Sequence, residues 1–174
     1  MPSESMNQHK KSAPSHIKVG IITLSDSKYQ DFLESKNTDV SGDIIEKSLK
    51  ENGHSVVRSI IPDDAEDLLK TINQLVERET VEVIISTGGT GIGSRDITIE
   101  NLEKIFEKEL NGFGEIFRHK SYEELGSGAI LSRATAGVYK RTLIIALPGS
   151  PNAVKTGLNI ILDELGHLVK HLKE

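Results

Sequence analysis

At 174 residues, 36% of them hydrophobic and with a mean hydropathy of −0.28, the chain has the size and composition of one water-soluble domain; no run approaches the ~20 apolar residues of a membrane span. A net charge of −5, 4% aromatic residues and no Trp exclude nucleic acid as the main partner, because phosphate backbones require a basic face and exposed bases require stacking platforms. The absence of Cys excludes disulfides, thiolate zinc sites and a cysteine nucleophile.

The first residues hold charges and prolines instead of an apolar signal core, so the cytoplasm is the expected location. Residues 1–15, which include the basic pair Lys10-Lys11, bury too little apolar surface to offset chain entropy. They are expected to form a disordered tail, followed by a single domain over 16–174. The β-branched run Ile17 to Leu24 predicts a buried strand, bounded by Ser25-Asp26-Ser27. Ser41 to Glu51 predicts a helix with Ile44, Ile45, Ser48 and Leu49 on one face, stopped by Asn52-Gly53. A second strand follows over Ser55 to Ile61, ended by Pro62. Asp64 to Glu79 reads as a helix with Leu68, Leu69, Ile72, Leu75 and Val76 inward.

Val81 to Ser86 predicts a third strand, closed by a glycine-rich turn. Thr98 is expected to cap the next helix, with Ile97 and Leu102 as a hydrophobic staple. Glu115 to Leu125 carries a further helical pattern, and Leu143 to Leu147 predicts a fourth strong strand. Pro151 opens a last helix with the apolar stripe Val154, Leu158, Ile161, Leu162, Leu165, Leu168 and Leu172. The stretch from Gly126 to Tyr139 has no single period. This alternation of strands and helices predicts an α/β fold: a mainly parallel sheet covered on both faces.

Ligands of open parallel sheets bind beyond the carboxyl ends of the strands. The four strong strands lead into Ser25-Asp26, Pro62-Asp63-Asp64, Thr87-Gly88-Gly89-Thr90-Gly91 and Pro148-Gly149-Ser150-Pro151. All four loops are rich in hydroxyls, glycines or carboxylates. Gly88, Gly89 and Gly91 let backbone N–H groups approach a phosphate, and Thr87 and Thr90 add hydroxyl donors; the alternative is a tight turn that only ends a strand. No Gly-Lys-Ser/Thr follows, so this is not a P-loop, and Ser94 stands where a dinucleotide fingerprint has its third glycine.

Asp96 lies just beyond the glycines, and Asp63 lies on the neighbouring rim loop. Two carboxylates at a phosphate site repel the substrate unless a cation intervenes, which points to Mg²⁺. Each also fits a plain structural role at a turn or helix start. Arg95 and Arg133 could offset phosphate charge or simply be solvated surface groups. His167 and His171 lie one helical turn apart without the Glu of a zinc-protease helix, and read as an ordinary helix face. Ser132 and Ser150 have no evident His–Asp relay, so serine hydrolysis is unsupported.

Eight segments then come in order: Thr23-Leu24-Ser25-Asp26, Asp39-Val40-Ser41-Gly42, Ile61-Pro62-Asp63-Asp64, Ser86-Thr87-Gly88-Gly89-Thr90-Gly91, Ser94-Arg95-Asp96-Ile97-Thr98, Gly112-Phe113-Gly114-Glu115, Leu131-Ser132-Arg133-Ala134 and Leu147-Pro148-Gly149-Ser150-Pro151. As an ordered set, covering the chain from Ile17 onward, they resemble the MoaB/MogA family of molybdenum cofactor biosynthesis, which is itself similar to the G domain of gephyrin.

The resemblance implies a three-layer α/β/α sandwich assembling as a homo-trimer, or as a hexamer of two trimers, with small-molecule substrates and neither nucleic acid nor membrane as partner. It implies molybdopterin adenylyltransferase activity: ATP and molybdopterin, with Mg²⁺, give adenylyl-molybdopterin and pyrophosphate. Asp63 and Asp96 match the family's catalytic and metal-handling aspartates. Ser86 to Gly91 and Pro148 to Pro151 match loops that line the ligand site, and Ser25, Asp26, Ser132 and Arg133 fall at further ligand-binding positions. The chain has Thr98-Ile99-Glu100 where the family has Thr-Pro-Glu, a loss expected to soften the loop holding Asp96. Pro62-Asp63 is intact, as in the active branch of the family. Two other functions stay open: a non-catalytic molybdopterin carrier or scaffold, and a nucleotide hydrolase or pyrophosphatase on a related fold such as the CinA-type domains.

Overall fold

The computed structural model describes residues 13–174; most of the tail expected over residues 1–15 therefore lies outside the described residues. Within them, Ala13 and Pro14 lie against Gly166 near the end of the chain.

The described residues form, in order, β1 (Lys18–Leu24), α1 (Asp26–Leu33), α2 (Val40–Glu51), β2 (Ser55–Ile61), α3 (Ala65–Glu77), β3 (Val83–Thr87), α4 (Thr98–Ile105), β4 (Lys108–Glu109), α5 (Asn111–Leu125), a 3₁₀ turn (Gly126–Leu131), β5 (Thr135–Tyr139), β6 (Thr142–Leu147), α6 (Pro151–Ile161), a second 3₁₀ turn (Leu162–Glu164) and α7 (Leu165–Lys173). Among the described residues, six strands form one sheet in the order β2-β1-β3-β6-β5-β4. The first three neighbouring pairs are parallel, and β5 runs antiparallel to both β6 and β4.

Successive strand residues point to opposite faces, and this divides the core in two. Val19, Ile21, Val83, Ile85, Leu143, Ile145 and Leu147 meet Ile45 and Leu49 of α2, Phe113 and Phe117 of α5, and the stripe of α6 and α7. The alternate residues Ile22, Leu24, Ile84, Ile144 and Ala146 meet Leu68, Ile72 and Leu75 of α3 and Ile99 and Leu102 of α4. The result is the expected α/β/α sandwich.

Several details differ from the sequence reading. The expected last helix is interrupted by the 3₁₀ turn Leu162–Glu164, yet Val154, Leu158, Ile161 and Leu165 stay in one cluster, with Leu162, Leu168 and Leu172 packed against it. Helix α1 was not anticipated: it buries none of its residues, so it carries no apolar stripe. Strand β5 was hidden in the stretch without a period. It turns into β6 through Lys140-Arg141, whose φ angles of 46° and 61° make a two-residue hairpin without the Asn-Gly signal that usually marks one.

Among the described residues, no helix is long and apolar enough to cross a membrane.

Candidate active site

The rim begins where β1 ends. Ser25 is in extended conformation and caps α1, its hydroxyl accepting from the Lys28 amide at 3.3 Å. Its own amide donates to the Ile61 carbonyl at 3.0 Å, which brings the next loop alongside. There Asp26 and Asp63 bond reciprocally: the Asp26 amide donates to Asp63 Oδ2 at 3.1 Å, and the Asp63 amide donates to Asp26 Oδ1 at 3.0 Å. Asp64 caps α3 through the amides of Glu66 and Asp67.

The glycine loop follows β3. Gly88 and Gly89 have φ angles of 98° and 65°, a region that favours residues without a Cβ. A Cβ on Gly88 would lie 2.1 Å from the Leu24 carbonyl oxygen. The Gly88 amide donates to the Leu147 carbonyl at 3.0 Å, and Gly149 sits against Gly88, so the loops after β1, β3 and β6 stack on one another. Ser86 is buried, and the Thr87 hydroxyl donates to the Pro148 carbonyl at 3.0 Å. Ser150 caps α6 by accepting from the Ala153 amide, with Pro151 opening the helix.

The expected cap at Thr98 is not what the structure shows. Thr98 is the first residue of α4, and Ile97 occupies the cap position without a side-chain bond. The fully buried Thr98 hydroxyl instead donates to the Gly88 carbonyl at 2.9 Å, while the Thr98 amide donates to the Gly89 carbonyl at 2.9 Å. These two bonds anchor the start of α4 to the glycine loop. Ile99 is buried in the core beside Leu102.

Asp96 closes the intervening loop: its Oδ2 accepts from the Gly93 amide at 2.9 Å, and its own amide donates to the Gly93 carbonyl at 3.1 Å. Both arginines are engaged within the protein. Arg95 binds the Asp26 carboxylate with two nitrogens, Nε at 3.0 Å and Nη2 at 2.8 Å. Arg133 donates to the Gly91 carbonyl at 2.6 Å and pairs with Glu100. That contact brings Ser132-Arg133 to the far end of the glycine loop. The hydrogen bond from Arg95 holds the Asp26 carboxyl below its ordinary value, and the hydrogen bond from Arg133 does the same for Glu100. Asp63 moves the other way: burial is the main cause, reinforced by the charges of Asp26 and Asp96 and opposed by the Asp26 amide and by Arg95.

A cleft of about 110 Å³ opens on this rim, lined by Thr23, Leu24, Ser25, Lys28, Asp39, Ser41, Thr87, Gly88 and Gly149. Lys28, Asp39 and Ser41 were not among the candidate site residues, although Asp39-Val40-Ser41-Gly42 carries a motif. Asp39 caps α2 through the Gly42 amide, accepts from the Thr23 hydroxyl at 2.6 Å and pairs with Arg58 at 2.8 Å. The Ser41 hydroxyl donates to the Gly149 carbonyl at 2.8 Å. The cleft thus meets the N-terminal ends of α1, α2 and α6, whose positive dipole ends favour an anion.

No group of three or more His, Asp or Glu side chains suited to a metal occurs among the described residues. Mg²⁺ commonly takes one or two carboxylates and completes its shell with substrate phosphates and water, and two carboxylates border the glycine loop, Asp63 beside Gly89 and Asp96 beside Gly91. Asp63, whose charge is disfavoured where it stands, is the kind of group that gains from such a cation.

Residues 20–167 match the family described as a probable molybdopterin binding domain. A protein of Methanocaldococcus jannaschii called a probable molybdopterin adenylyltransferase is 47% identical over 160 residues, covering 91% of this chain and 96% of its own. The molybdopterin adenylyltransferase of Pyrococcus furiosus is 43% identical over 97% of this chain and 99% of its own. The crystal structure of the tungsten cofactor synthesizing protein MoaB from Pyrococcus furiosus superposes with a TM-score of 0.83 at 42% identity, over 93% of this chain and all of that one. With ordered motifs, sandwich fold and near full-length similarity in agreement, the chain belongs to the MoaB/MogA family of molybdenum cofactor biosynthesis proteins.

Proposed function

We propose that this protein adenylylates molybdopterin in the cytoplasm, using Mg-ATP and releasing pyrophosphate. The observation that carries the reading is the placement of a small anion-favouring cleft, where the ends of α1, α2 and α6 meet, beside the loops that hold Asp63 and Asp96. The names of the relatives supply the substrate class.

In the reaction, the terminal phosphate oxygen of molybdopterin attacks the α-phosphorus of ATP. A new P–O bond forms as the bond from the α-phosphorus to the bridging oxygen breaks, and pyrophosphate leaves with that electron pair. No protein nucleophile is needed, in keeping with a site of glycines, hydroxyls and carboxylates. Catalysis then rests on positioning and charge stabilisation. The Gly88–Gly91 backbone and the loop from Pro148 to Pro151 would hold phosphates. Ser25 and Lys28 would orient them, and Ser132 and Arg133 would bound the far side. Mg²⁺ held by Asp63, Asp96 and substrate phosphates would neutralise charge that these carboxylates otherwise repel.

A cleft of about 110 Å³ is smaller than the ~300–1,000 Å³ of a site enclosing a drug-sized ligand, so the remainder of each substrate would lie across the open rim. We also propose assembly as a trimer or hexamer, supported by the apolar side chains of Tyr122, Leu125, Ile130 and Leu131, which are left exposed on α5 and the turn after it. Mass spectrometry of the product from Mg-ATP and molybdopterin tests the activity. Adenylyl-molybdopterin and pyrophosphate are expected in equal amounts. Turnover unchanged in both Asp63→Asn and Asp96→Asn, or pterin binding without turnover, would count against it.

A further inference from the structure

Arg58 bears on the cleft without lining it. It stands in the edge strand β2 opposite Ile21, on the sheet face that α2 covers. Asp39, Asp43 and Glu46, at i, i+4 and i+7, form one stripe along the start of that helix. The guanidinium spans the stripe. Its Nη1 donates to Asp43 Oδ1 at 2.6 Å and to Glu46 Oε2 at 3.0 Å, and its Nη2 donates to the Asp39 carbonyl at 3.1 Å and to Asp39 Oδ2 at 2.8 Å. Gly42 leaves the room for this, since a Cβ there would lie 2.1 Å from Asp39 Oδ2 and 2.6 Å from Arg58 Nη2.

The three carboxylates are not equivalent. Asp43 is 48% exposed, where water and salt screen its charge, and Glu46 has a second cation in Lys50 at 2.6 Å. Asp39 is 1% exposed and stands in the wall of the cleft. Its other side-chain partners, the Thr23 hydroxyl and the Gly42 amide, are neutral. Positive helix ends suit the cleft to an anion, yet a buried carboxylate in its wall repels one, and low dielectric makes that repulsion strong. Arg58 supplies the balancing charge from outside the cleft. It does so at a cost, because its buried Nε has no hydrogen-bond partner among the described residues.

We propose that Arg58 is a positioning residue for substrate phosphate, acting through Asp39: it offsets the buried carboxylate and so lets a phosphate group enter a cleft whose wall contains one. This rests on the reading of the cleft as a phosphate site. An arginine that only held β2 to α2 would leave anion affinity alone. One that balances Asp39 sets that affinity, and becomes dispensable once the charge of Asp39 is removed as well.

The test measures the affinity of the full chain for inorganic pyrophosphate by calorimetry at fixed ionic strength, beside kcat and KM for molybdopterin and Mg-ATP. Circular dichroism establishes that each variant is folded before affinities are compared. Arg58→Met should bind pyrophosphate at least about tenfold more weakly, because one buried charge is left uncompensated. KM for the substrate whose phosphate occupies the cleft should rise by the same factor while kcat stays within about twofold, as for an interaction made equally in ground and transition states. Arg58→Lys, which restores a charge, should recover part of the affinity. In the double variant Asp39→Asn/Arg58→Met, affinity should return to within about threefold of the wild type even though the melting temperature stays lowered. A wild type that does not bind pyrophosphate, an Arg58→Met protein that binds it equally well, or a double variant as weak as Arg58→Met would overturn the proposal. A wild type that binds pyrophosphate but does not adenylylate molybdopterin would overturn the proposed function instead, and the pyrophosphate series would still decide the role of Arg58.

Discussion

Asp26 and Asp63 each donate a backbone amide to the other's carboxylate, at 3.1 and 3.0 Å, and so join the loops that follow β1 and β2. The two side chains nevertheless sit in opposite electrostatic situations, because Arg95 stabilises the charge of Asp26 while burial disfavours that of Asp63.

This asymmetry predicts a trade between stability and activity at Asp63. A carboxyl with a raised value in the folded state adds stability while it is protonated, and loses it as pH rises through that raised value. At neutral pH its charge is therefore a cost to the ligand-free fold. Asp63→Asn keeps an oxygen to accept from the Asp26 amide and is expected to melt higher than the wild type at pH 7. The difference should close as pH falls toward the ordinary Asp value of about 3.9. Thermal melts across this range check it, and a variant that melts lower at pH 7 would contradict it. Adenylylation by the same variant is expected to fall at least about a hundredfold.

Arg95 acts on the site through Asp26 rather than by touching Asp63. Arg95→Gln removes a bidentate ion pair at the surface, where such pairs contribute little to stability. Its melting temperature should stay close to that of the wild type. Turnover should drop about ten- to a hundredfold, since small displacements of positioned groups weigh heavily on rate. Arg95→Lys, which keeps one charge but not the fork, should recover only part of the loss. Steady-state rates of the three proteins measure this.

Gly91 has no unusual φ, yet a Cβ there would stand 2.6 Å from Asp96 Oδ2. Gly91→Ala is expected to displace the Asp96 carboxylate and reduce turnover by about a hundredfold, with a smaller effect on the melting temperature. Gly88→Ala, which drives its Cβ against the Leu24 backbone, should instead unfold at lower temperature. The contrast between the two melts, read beside their rates, separates a carboxylate displacement from a loop collapse.

Thr98→Val is nearly isosteric and removes the hydroxyl that reaches the Gly88 carbonyl in the interior. The expected cost is about 1–3 kcal/mol in urea denaturation. Thr98→Ser should recover most of it. Asp39→Ala is expected to cost more, about 3–5 kcal/mol, because it leaves Arg58 without its buried partner. Comparable midpoints for wild type and Asp39→Ala would show that Asp43 and Glu46, which also pair with Arg58, suffice alone.

Local pattern was enough for the main strands, for α2 and α3 and for the α/β class. Their β-branched runs and apolar stripes register directly in sequence, since each must face a core. Ordered motifs were enough for the family. Helix α1 escaped because it buries nothing, and β5 because its hairpin turns on Lys140-Arg141 rather than on residues that favour positive φ.

The site divides along the same line. The sequence by itself determined which loops bear the glycines, hydroxyls and aspartates, because strand ends and turn residues are local properties. Only the tertiary structure decided that Thr98 serves the Gly88 carbonyl instead of capping its helix, that Arg95 is occupied by Asp26, and that Asp39 and Ser41 join the cleft. The first folds the connection between β3 and α4 back on itself, and the other two join loops distant in the chain. Such contacts are fixed by how the sheet brings the ends of β1, β2, β3 and β6 to one rim, which no residue records alone.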